Sequence, residues 1–322
     1  MTLLSAIIQQ AERIASDFLQ EQVISSYPIL DKGMVNQVYV VETAHRKVVV
    51  RMNDEGAYAG YMQEQWCIEQ SAAAGVPGPE VLAIGIADGA AYMIQSFVEG
   101  ENGLDSTMPK SDIWKQIGRY TKHLLNIPVK GYGENLVDAD QGVWSSPPHP
   151  GSDGTWLGYV QHNINSLKDD DPLIALGVYA PMQSLQVRQI FESIRQETFQ
   201  FGLTHNDLSL KNTIIDQAGQ VTLIDWGNAA VSPVPHGDIV GLMLHQLIEQ
   251  GLSDEEFRAF LDGYGIHEQS LASSRQILLL KTFDTVRWAI DRAPDLIDTH
   301  VGYAKLAVRL LISNGEITQS KG

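Results

Sequence analysis

Three polar side chains with catalytic potential lie within the segment THNDLSLKNTIIDQAGQVTLIDWGN, residues 204–228. They are Asp207, Asn212 and Asp225. A carboxylate on a loop can take the proton from an attacking hydroxyl group. A second carboxylate together with an amide oxygen offers the hard oxygen ligands that suit Mg²⁺. The residue types therefore indicate chemistry on a hydroxyl group beside a divalent cation.

The residues between Asn212 and Asp225 predict a β-hairpin. Two strand candidates, 213–216 and 221–224, flank the polar turn 217–220, which contains a glycine. If the two central turn residues form the tip, the paired positions sum to 437. That register places Asn212 opposite Asp225, with roughly 5 Å between their Cα atoms. The hairpin would bring the amide and the carboxylate to one point.

The spacing of these motifs resembles the catalytic loop and metal-binding triplet of the protein-kinase-like fold. The pattern is His205-x-Asp207-x-x-x-x-Asn212 followed by Asp225-Trp226-Gly227. The motif sequences HNDLSLKN, then IDWGN and HGDIVGL, resemble those of the aminoglycoside phosphotransferase and choline kinase family. The resemblance implies that Asp207 is the catalytic base and that Asn212 and Asp225 hold Mg²⁺.

The same resemblance implies supporting roles for two further residues. His205 would stabilise the catalytic loop, and Asp238 of HGDIVGL would brace that loop from the following helix. The chain departs from protein kinases at Ser209, where they carry a Lys, and we expect Lys211 to approach the γ-phosphate instead. From position alone, Asp238 could equally be a carboxylate that stabilises the start of its helix.

Motifs in the first hundred residues resemble the nucleotide-binding part of this family. Gly33 and Asn36 lie in GMVNQVY, which resembles the loop that covers the nucleotide. Arg51, a residue type that can bind phosphate bidentately, would contact the ATP phosphates and pair with Glu64. The resemblance also implies that the backbone of a hinge segment meets the adenine edge; its residues are Ser96, Phe97 and Val98. ATP is the expected nucleotide, and GTP stays open.

The acceptor is expected to bind in the C-terminal part of the chain. One predicted helix carries Asp284, Trp288 and Asp291 on one side, which would suit a cationic acceptor. Aminoglycosides, other antibiotics, choline-like compounds, amino sugars and a biosynthetic intermediate all stay open. Ordinary solvated helix charge explains these acidic residues equally well.

The surrounding pattern indicates an α+β fold of the bilobal protein-kinase type, with an antiparallel sheet first and a mainly helical part after it. We expect a nucleotide-binding lobe at 1–97 and a helical lobe with the catalytic loop and acceptor site at 98–322. The first lobe is predicted to contain helices at 2–20 and 58–74 and strands at 35–43, 47–53, 80–88 and 90–98. Further helices are predicted at 110–126, 155–168, 183–200, 236–250, 253–263, 269–292 and 299–313. The stretch 131–154, rich in Gly, Pro and Ser, is predicted to be a long loop.

Composition excludes several classes of function. The 322-residue chain has a net charge of −17, which disfavours binding to nucleic acid or an anionic membrane. A single cysteine, Cys67, excludes an intrachain disulfide. The N-terminal segment lacks the features of a signal peptide, and no apolar run is long enough to span a bilayer, so we expect a cytoplasmic enzyme. The oligomeric state is not readable from the sequence.

Three alternatives to a small-molecule kinase stay open. A protein kinase is disfavoured because few residues separate Asp225 from Asp238, which leaves little room for a peptide-docking segment. A nucleotide-binding pseudokinase or kinase-like regulator is disfavoured because every expected acidic residue is present. A hydrolase or metalloprotein of unrelated fold is the third alternative, and nucleotide binding would exclude it.

Overall fold

The structure, a computed structural model, describes residues 3–29, 37–147, 151–247 and 251–312. The described residues form two compact units. The first contains those up to 127 and also 209–229, and the second contains 128–208 and those from 230 onward. The expected lobes, 1–97 and 98–322, are a division by function and stay a prediction. The packing units have other bounds, because the 209–229 segment packs with the N-terminal part of the chain.

The first unit is built on a five-stranded antiparallel sheet. Its strands are β1 (Val23–Pro28), β2 (Gln37–Thr43), β3 (Lys47–Asp54), β4 (Val81–Ala87) and β5 (Ala90–Ser96). They lie side by side in the order β1-β2-β3-β5-β4. The strand β1 was not predicted from the sequence, because its residues, VISSYP, include two serines and a proline and lack a β-branched run.

Both faces of this sheet are covered by helices. Helix α1 (Leu3–Leu19) packs its apolar side, including Ala11 and Ile14, on Val48, Val50 and other buried strand residues. Helix α2 (Tyr58–Ala73) covers the opposite face, where its Tyr61 packs against Ala91 and Met93 of β5. The helical periodicity in the sequence thus predicted both helices correctly, within a residue or two at each end.

The two predicted hairpins of the first unit are confirmed. Strands β2 and β3 pair from Glu42 opposite Lys47 onward, and β4 pairs with β5 across a two-residue turn. In that turn both Asp88 and Gly89 have positive φ, at 51° and 76°. An Asp-Gly pair tolerates this backbone, whose twist matches that of the flanking strands.

A smaller part of the first unit holds the hairpin predicted near Asn212. Helix α3 spans Lys110–His123. Three short strands, β6 (Glu101–Asn102), β11 (Thr213–Ile215) and β12 (Val221–Leu223), form a sheet in the order β12-β11-β6. The predicted hairpin is therefore present, with a third strand along one edge that the sequence did not indicate.

The second unit is mainly helical and contains two small sheets. Its helices are α4 (Trp156–Asn165), α5 (Pro172–Ala175), α6 (Ser184–Gln196), α7 (His236–Leu247), α8 (Asp254–Tyr264), α9 (Ala272–Arg292) and α10 (Ile297–Ile312). One sheet pairs β10 (Gln200–Thr204) with β13 (Ala230–Val234), and the other contains β7 (Lys130–Tyr132), β8 (Asn135–Asp138) and β9 (Val143–Ser145). An α+β fold is thus confirmed.

The prediction of a long loop at 131–154 was wrong in part. Strands β7, β8 and β9 form a three-stranded sheet there, in which β9 lies between a parallel and an antiparallel neighbour. Glycines at 131 and 133 have positive φ, and a Cβ atom at Gly131 would lie 2.1 Å from the Trp144 carbonyl oxygen. The glycines that suggested a loop therefore permit close strand contact instead. Among the described helices, none combines the length and apolarity needed to cross a bilayer.

Close packing between β6 and the hairpin allows a stability prediction at Gly103. A Cβ atom there would lie 2.1 Å from Thr213 Oγ1 and 2.8 Å from the Leu210 carbonyl oxygen, whereas one at Gly60 would contact nothing within 4 Å. Gly103→Ala should therefore lower the free energy of unfolding by about 1–3 kcal/mol. Gly60→Ala, in α2, should raise it by up to about 1 kcal/mol. Urea denaturation of both variants checks this, and equal effects at the two positions would contradict it.

Candidate active site

The first unit contains a buried arginine held between two carboxylates. Arg51 lies on β3, the middle strand of the sheet, and is only 7% exposed. Its Nη1 donates to Glu64 Oε1 of α2, and its Nη2 donates to Asp225 Oδ1 at 3.1 Å. Arg51 therefore joins three of the residues in this unit that were predicted to bind phosphate or metal.

The backbone next to Asp225 is held by the same carboxylate that holds Arg51. The Trp226 amide donates to Glu64 Oε1 at 3.2 Å, and the Trp226 side chain is buried. Asp225 itself has φ 65° and ψ 67°, a left-handed conformation that costs energy in a residue other than glycine. Its side chain remains 40% exposed. Glu64 thus fixes both the guanidinium and the strained turn that presents Asp225.

The charges in this group perturb one another. Burial raises the pKa of the Glu64 carboxyl, against the opposing effects of the Arg51 guanidinium and the Trp226 amide. Burial alone would lower the pKa of Arg51, but the Glu64 and Asp225 carboxylates outweigh it and raise that pKa. Burial also raises the pKa of the neighbouring Tyr61 to about 12. Arg51 is therefore a permanent cation in a desolvated site.

The hairpin has a register one residue different from the predicted one. Its pairs are Thr213 with Leu223, Ile214 with Thr222 and Ile215 with Val221, so paired positions sum to 436. Asn212 consequently faces Ile224, whose amide donates to the Asn212 carbonyl oxygen at 3.0 Å. Asp225 is the next residue along the chain.

The turn chemistry explains the difference in register. Asp216 Oδ1 accepts hydrogen bonds of 2.8 Å from the amides of Ala218 and Gln220, and Gly219 adopts φ 79°. These bonds close a three-residue loop between Asp216 and Gln220, instead of the symmetric two-residue tip that we assumed. The prediction that Asn212 and Asp225 are directly paired was therefore wrong, although both lie at the same end of the hairpin.

Two residues that the sequence did not single out anchor this hairpin. Asn102 Nδ2 donates to the Lys211 carbonyl oxygen at 2.8 Å, next to Asn212. Gln116 of α3 donates to the Gly219 carbonyl oxygen at 2.9 Å and accepts from the Val221 amide at 3.3 Å. Polar residues of this kind carry no motif, so only the structure identifies them. They fix the segment that ends in buried Asn212.

The second unit contains Asp207 and the residues predicted to support it. The loop after β10 runs through buried His205, then Asn206 in a left-handed conformation with φ 62°, then half-buried Asp207. Asp238, at the start of α7, accepts a hydrogen bond of 2.8 Å from the Asn206 amide. It also accepts from the His205 backbone. The structure thus places Asp238 against the loop that carries Asp207, where the resemblance implied it would lie.

Close packing of α7 on the sheet of β10 and β13 keeps Asp238 at the loop. A Cβ atom at Gly237 would lie 2.7 Å from Ser232 Cβ and 2.8 Å from Thr204 Cγ2, so the helix can approach only because residue 237 is glycine. A cavity of about 170 Å³ lies at this contact, and Asp207, Leu208 and Asp238 are among its lining residues.

The residues proposed for acceptor binding differ in their environments. Asp284 is half-buried and accepts from Asn163 Nδ2 at 3.0 Å, within a network in which Arg287 bonds both Asn163 and buried Asp171. Trp288 is 49% exposed. Asp291 is exposed as well. Asp284 is therefore held in a fixed position, whereas the other two lie on the surface of α9.

The remaining predicted residues are placed as follows. Gly33 and Asn36 lie outside the described residues. Ser96 ends β5, where its amide donates to the Glu80 carbonyl oxygen at 2.8 Å. Phe97 and Val98 follow, both half-buried, and the Lys47 ammonium lies 3.9 Å from the Phe97 ring centroid. Lys211 is exposed and precedes Asn212.

One family model matches this chain, and several solved structures share its fold. A family model described as "Phosphotransferase enzyme family" matches residues 27–275.

The crystal structure of aminoglycoside phosphotransferase APH(4)-Ia is similar over 94% of this chain and 98% of that one, with TM-score 0.65 and 18% identity. A thermostable mutant of that enzyme, in a ternary complex with ADP and hygromycin B, gives TM-score 0.63 at 18% identity, with 93% and 98% covered. Spectinomycin phosphotransferase APH(9)-Ia, in complex with ADP and spectinomycin, gives 0.55 at 14%, with 97% and 90% covered. No protein of curated function matches the chain in sequence. At these identities the similar structures show a shared fold.

The buried carboxyl of Asp238 gives a pH-dependent stability that can be measured. Burial, opposed by the Asn206 and His205 amides, raises the pKa of Asp238 to about 6. Because the folded state binds this proton more tightly than the unfolded chain, the stabilising contribution of Asp238 is present below the ordinary pKa of 3.8 and is lost as pH rises to about 6. Asp238→Asn removes this loss. Relative to the wild type, the variant should therefore gain about 1 kcal/mol in free energy of unfolding between about pH 5 and about pH 7.

Urea denaturation of both proteins across this pH range makes the comparison. Asp140→Asn, which changes an exposed carboxyl in the same unit, is the matched control and should follow the wild type. A constant difference between Asp238→Asn and the wild type at every pH would contradict the prediction.

Proposed function

The chain belongs to the phosphotransferase enzyme family, and we propose that it transfers the γ-phosphoryl group of ATP to a hydroxyl group of a small molecule, with Mg²⁺. The observation that carries the proposal is the contact of buried Arg51 with Glu64 and Asp225. Phosphoryl transfer asks a protein mainly to position the phosphates and neutralise their charge. A buried permanent cation next to a partly exposed carboxylate provides both functions.

The donor set in the first unit fits a magnesium ion. Arg51, Glu64 and Asp225 together carry one more negative than positive charge, and the Asp225 carboxylate is the most exposed of the three. Asp225 and the amide oxygen of Asn212 are the hard oxygen ligands that Mg²⁺ prefers, usually with water and phosphate oxygens beside them. When bound, Mg²⁺ would neutralise charge on the phosphate oxygens. The Arg51 guanidinium would bind those phosphates and hold them in a fixed position.

We assign the acceptor chemistry to Asp207. Its carboxylate would orient the acceptor hydroxyl and take its proton as the bond to phosphorus forms. Asp238 accepts a hydrogen bond from the amide of Asn206, the left-handed residue that precedes Asp207. Asp238 would therefore act on catalysis through the loop that presents Asp207.

A cationic acceptor suits the second unit best. Asp284 is a half-buried carboxylate fixed by Asn163, and Asp291 lies two turns later on the same helix. A net charge of −17 also attracts cations. Two enzymes of similar fold are crystallised with hygromycin B and with spectinomycin, which supports the proposal of an amine-bearing acceptor such as an aminoglycoside or amino sugar.

The experiment that tests this proposal is a panel of hydroxyl acceptors in an assay that couples ADP release to a spectroscopic signal. The panel contains aminoglycosides, spectinomycin, amino sugars and choline, and each cationic acceptor is paired with a neutral sugar of similar size. We expect ATP turnover with at least one cationic acceptor and little with its neutral counterpart. ATP that is bound but never turned over with any member would contradict the enzymatic proposal and favour a regulator.

Replacement of the proposed base should damage turnover far more than nucleotide binding. With the best acceptor of the panel, Asp207→Asn should reduce kcat on the order of 10²-fold or more, because the hydroxyl loses its proton acceptor. The ADP dissociation constant, measured by calorimetry, should stay nearly unchanged. Asp169→Asn, at an exposed position of the same unit, is the matched control. Full activity in Asp207→Asn would remove Asp207 from the mechanism.

A further inference from the structure

One buried side chain in the first unit has a polar atom that the described fold leaves without a hydrogen bond. Gln95, near the end of β5, is only 6% exposed. Its side-chain amide nitrogen is fully buried and has no hydrogen-bond partner within the part of the chain that the structure describes. A buried amide donor without a partner costs about 1–3 kcal/mol, so such a group calls for an explanation.

The strand register shows which face of the sheet carries this amide. Gln95 pairs with Val49, and Met93 pairs with Arg51. Directly paired residues project to the same face, as do residues two apart on a strand. The Gln95 side chain therefore lies on the face that carries Arg51, opposite the face covered by α1.

The position of Gln95 along β5 points to the nucleotide base. Arg51, which we propose binds the phosphates, lies beside Met93, and Gln95 is one step further along the same face. The next residues of the chain are Ser96, Phe97 and Val98, the segment proposed to meet the adenine edge. The Ser96 amide already bonds the Glu80 carbonyl oxygen, so its backbone donor is in use. The side-chain amide of Gln95 can therefore offer the base a hydrogen-bond donor that the Ser96 backbone cannot.

We propose that Gln95 reads the base of the bound nucleotide and selects adenine over guanine. A carboxamide matches the adenine N6 and N7 edge with two hydrogen bonds, because its oxygen accepts from the N6 amino group while its nitrogen donates to N7. Guanine presents two acceptors, O6 and N7, on that edge, so the carboxamide oxygen meets an acceptor. With adenine both the nitrogen and the oxygen of the carboxamide are therefore paired, whereas with guanine only the nitrogen finds a partner. This inference rests on the proposed function and adds to it the nucleotide class.

Calorimetric titration of ADP and GDP with Mg²⁺ tests this without any knowledge of the acceptor. The wild type should bind ADP about 10-fold or more tightly than GDP. Gln95→Met, which keeps the side-chain volume and removes the amide, should lose most of that ratio through weaker ADP binding, with GDP affinity little changed. Gln65→Met is the matched control, because the Gln65 amide is exposed and already bonds Glu69. The control should retain the wild-type ratio.

A second probe needs no substitution. The nucleotide 7-deaza-ADP lacks the N7 acceptor, so the wild type should bind it less tightly than ADP, whereas Gln95→Met should bind the two equally. Thermal melting of Gln95→Met accompanies these titrations, and we expect no loss of melting temperature, because an apolar group replaces an amide without a partner.

The possible outcomes distinguish a failure of the Gln95 inference from a failure of the proposed phosphotransferase function. Equal ADP and GDP binding by the wild type, or an unchanged ratio in a folded Gln95→Met, would overturn the role of Gln95 and leave the phosphotransferase proposal standing. A wild type that binds neither nucleotide would overturn both. Equal binding of ADP and 7-deaza-ADP by the wild type would show that N7 is not read, and it would also overturn the proposal.

Discussion

The ion pairs that fix the position of Arg51 are the interaction on which the first unit of this protein depends. A guanidinium removed from water carries a large desolvation cost, which only close, well-placed carboxylates can offset. Glu64 and Asp225 supply them from two elements far apart in the sequence, α2 and the end of the hairpin. These two ion pairs are therefore weak evidence for a net gain in the free energy of unfolding. Their effect is to favour one specific arrangement of the chain, because α2, β3 and the turn that presents Asp225 must all be in place before the buried charge of Arg51 is paired.

This constraint extends into the backbone. The same Glu64 oxygen that accepts from Arg51 also accepts from the Trp226 amide, so one carboxylate fixes a cation and a strained turn together. The left-handed conformation of Asp225 persists because its neighbours on both sides are held. In the second unit Asp238 has a comparable role, since its carboxylate accepts a hydrogen bond from the backbone of the loop that carries Asp207. In both units a buried acid holds the backbone that presents an acid to which we assign a role in the proposed reaction.

Sequence reasoning succeeded where periodicity or a fixed motif carried the signal. Helices α1 and α2 and the two hairpins of the large sheet follow from apolar spacing and from turn residues such as Asp88-Gly89. The contacts among Arg51, Glu64 and Asp225 agree with the resemblance that the motifs carried. What could not be predicted depends on local bonds that periodicity does not encode. The side-chain bonds of Asp216 shifted the hairpin register by one residue, and close strand contacts at glycine turned an expected loop into a sheet.

Long-range polar contacts were beyond sequence reasoning for a different reason. Asn102 and Gln116 anchor the hairpin, and Asn163 positions Asp284, yet each is a single polar residue without a motif. Their roles appear only when distant segments are packed together. The same holds for Gln95, whose burial on the face of Arg51 becomes visible only when strands β3 and β5 are paired in register.

The most direct test of this account is nucleotide-dependent binding of Mn²⁺, used in place of Mg²⁺ and followed by electron paramagnetic resonance in the presence of AMP-PNP. The account predicts that the wild type takes up Mn²⁺ and that Asp225→Asn loses about 10-fold or more in Mn²⁺ affinity, since even partners outside the ligand shell can be worth this much. Asp112→Asn, at an exposed position in the same unit, should bind as the wild type does. Equal Mn²⁺ uptake by Asp225→Asn and the wild type would contradict the account.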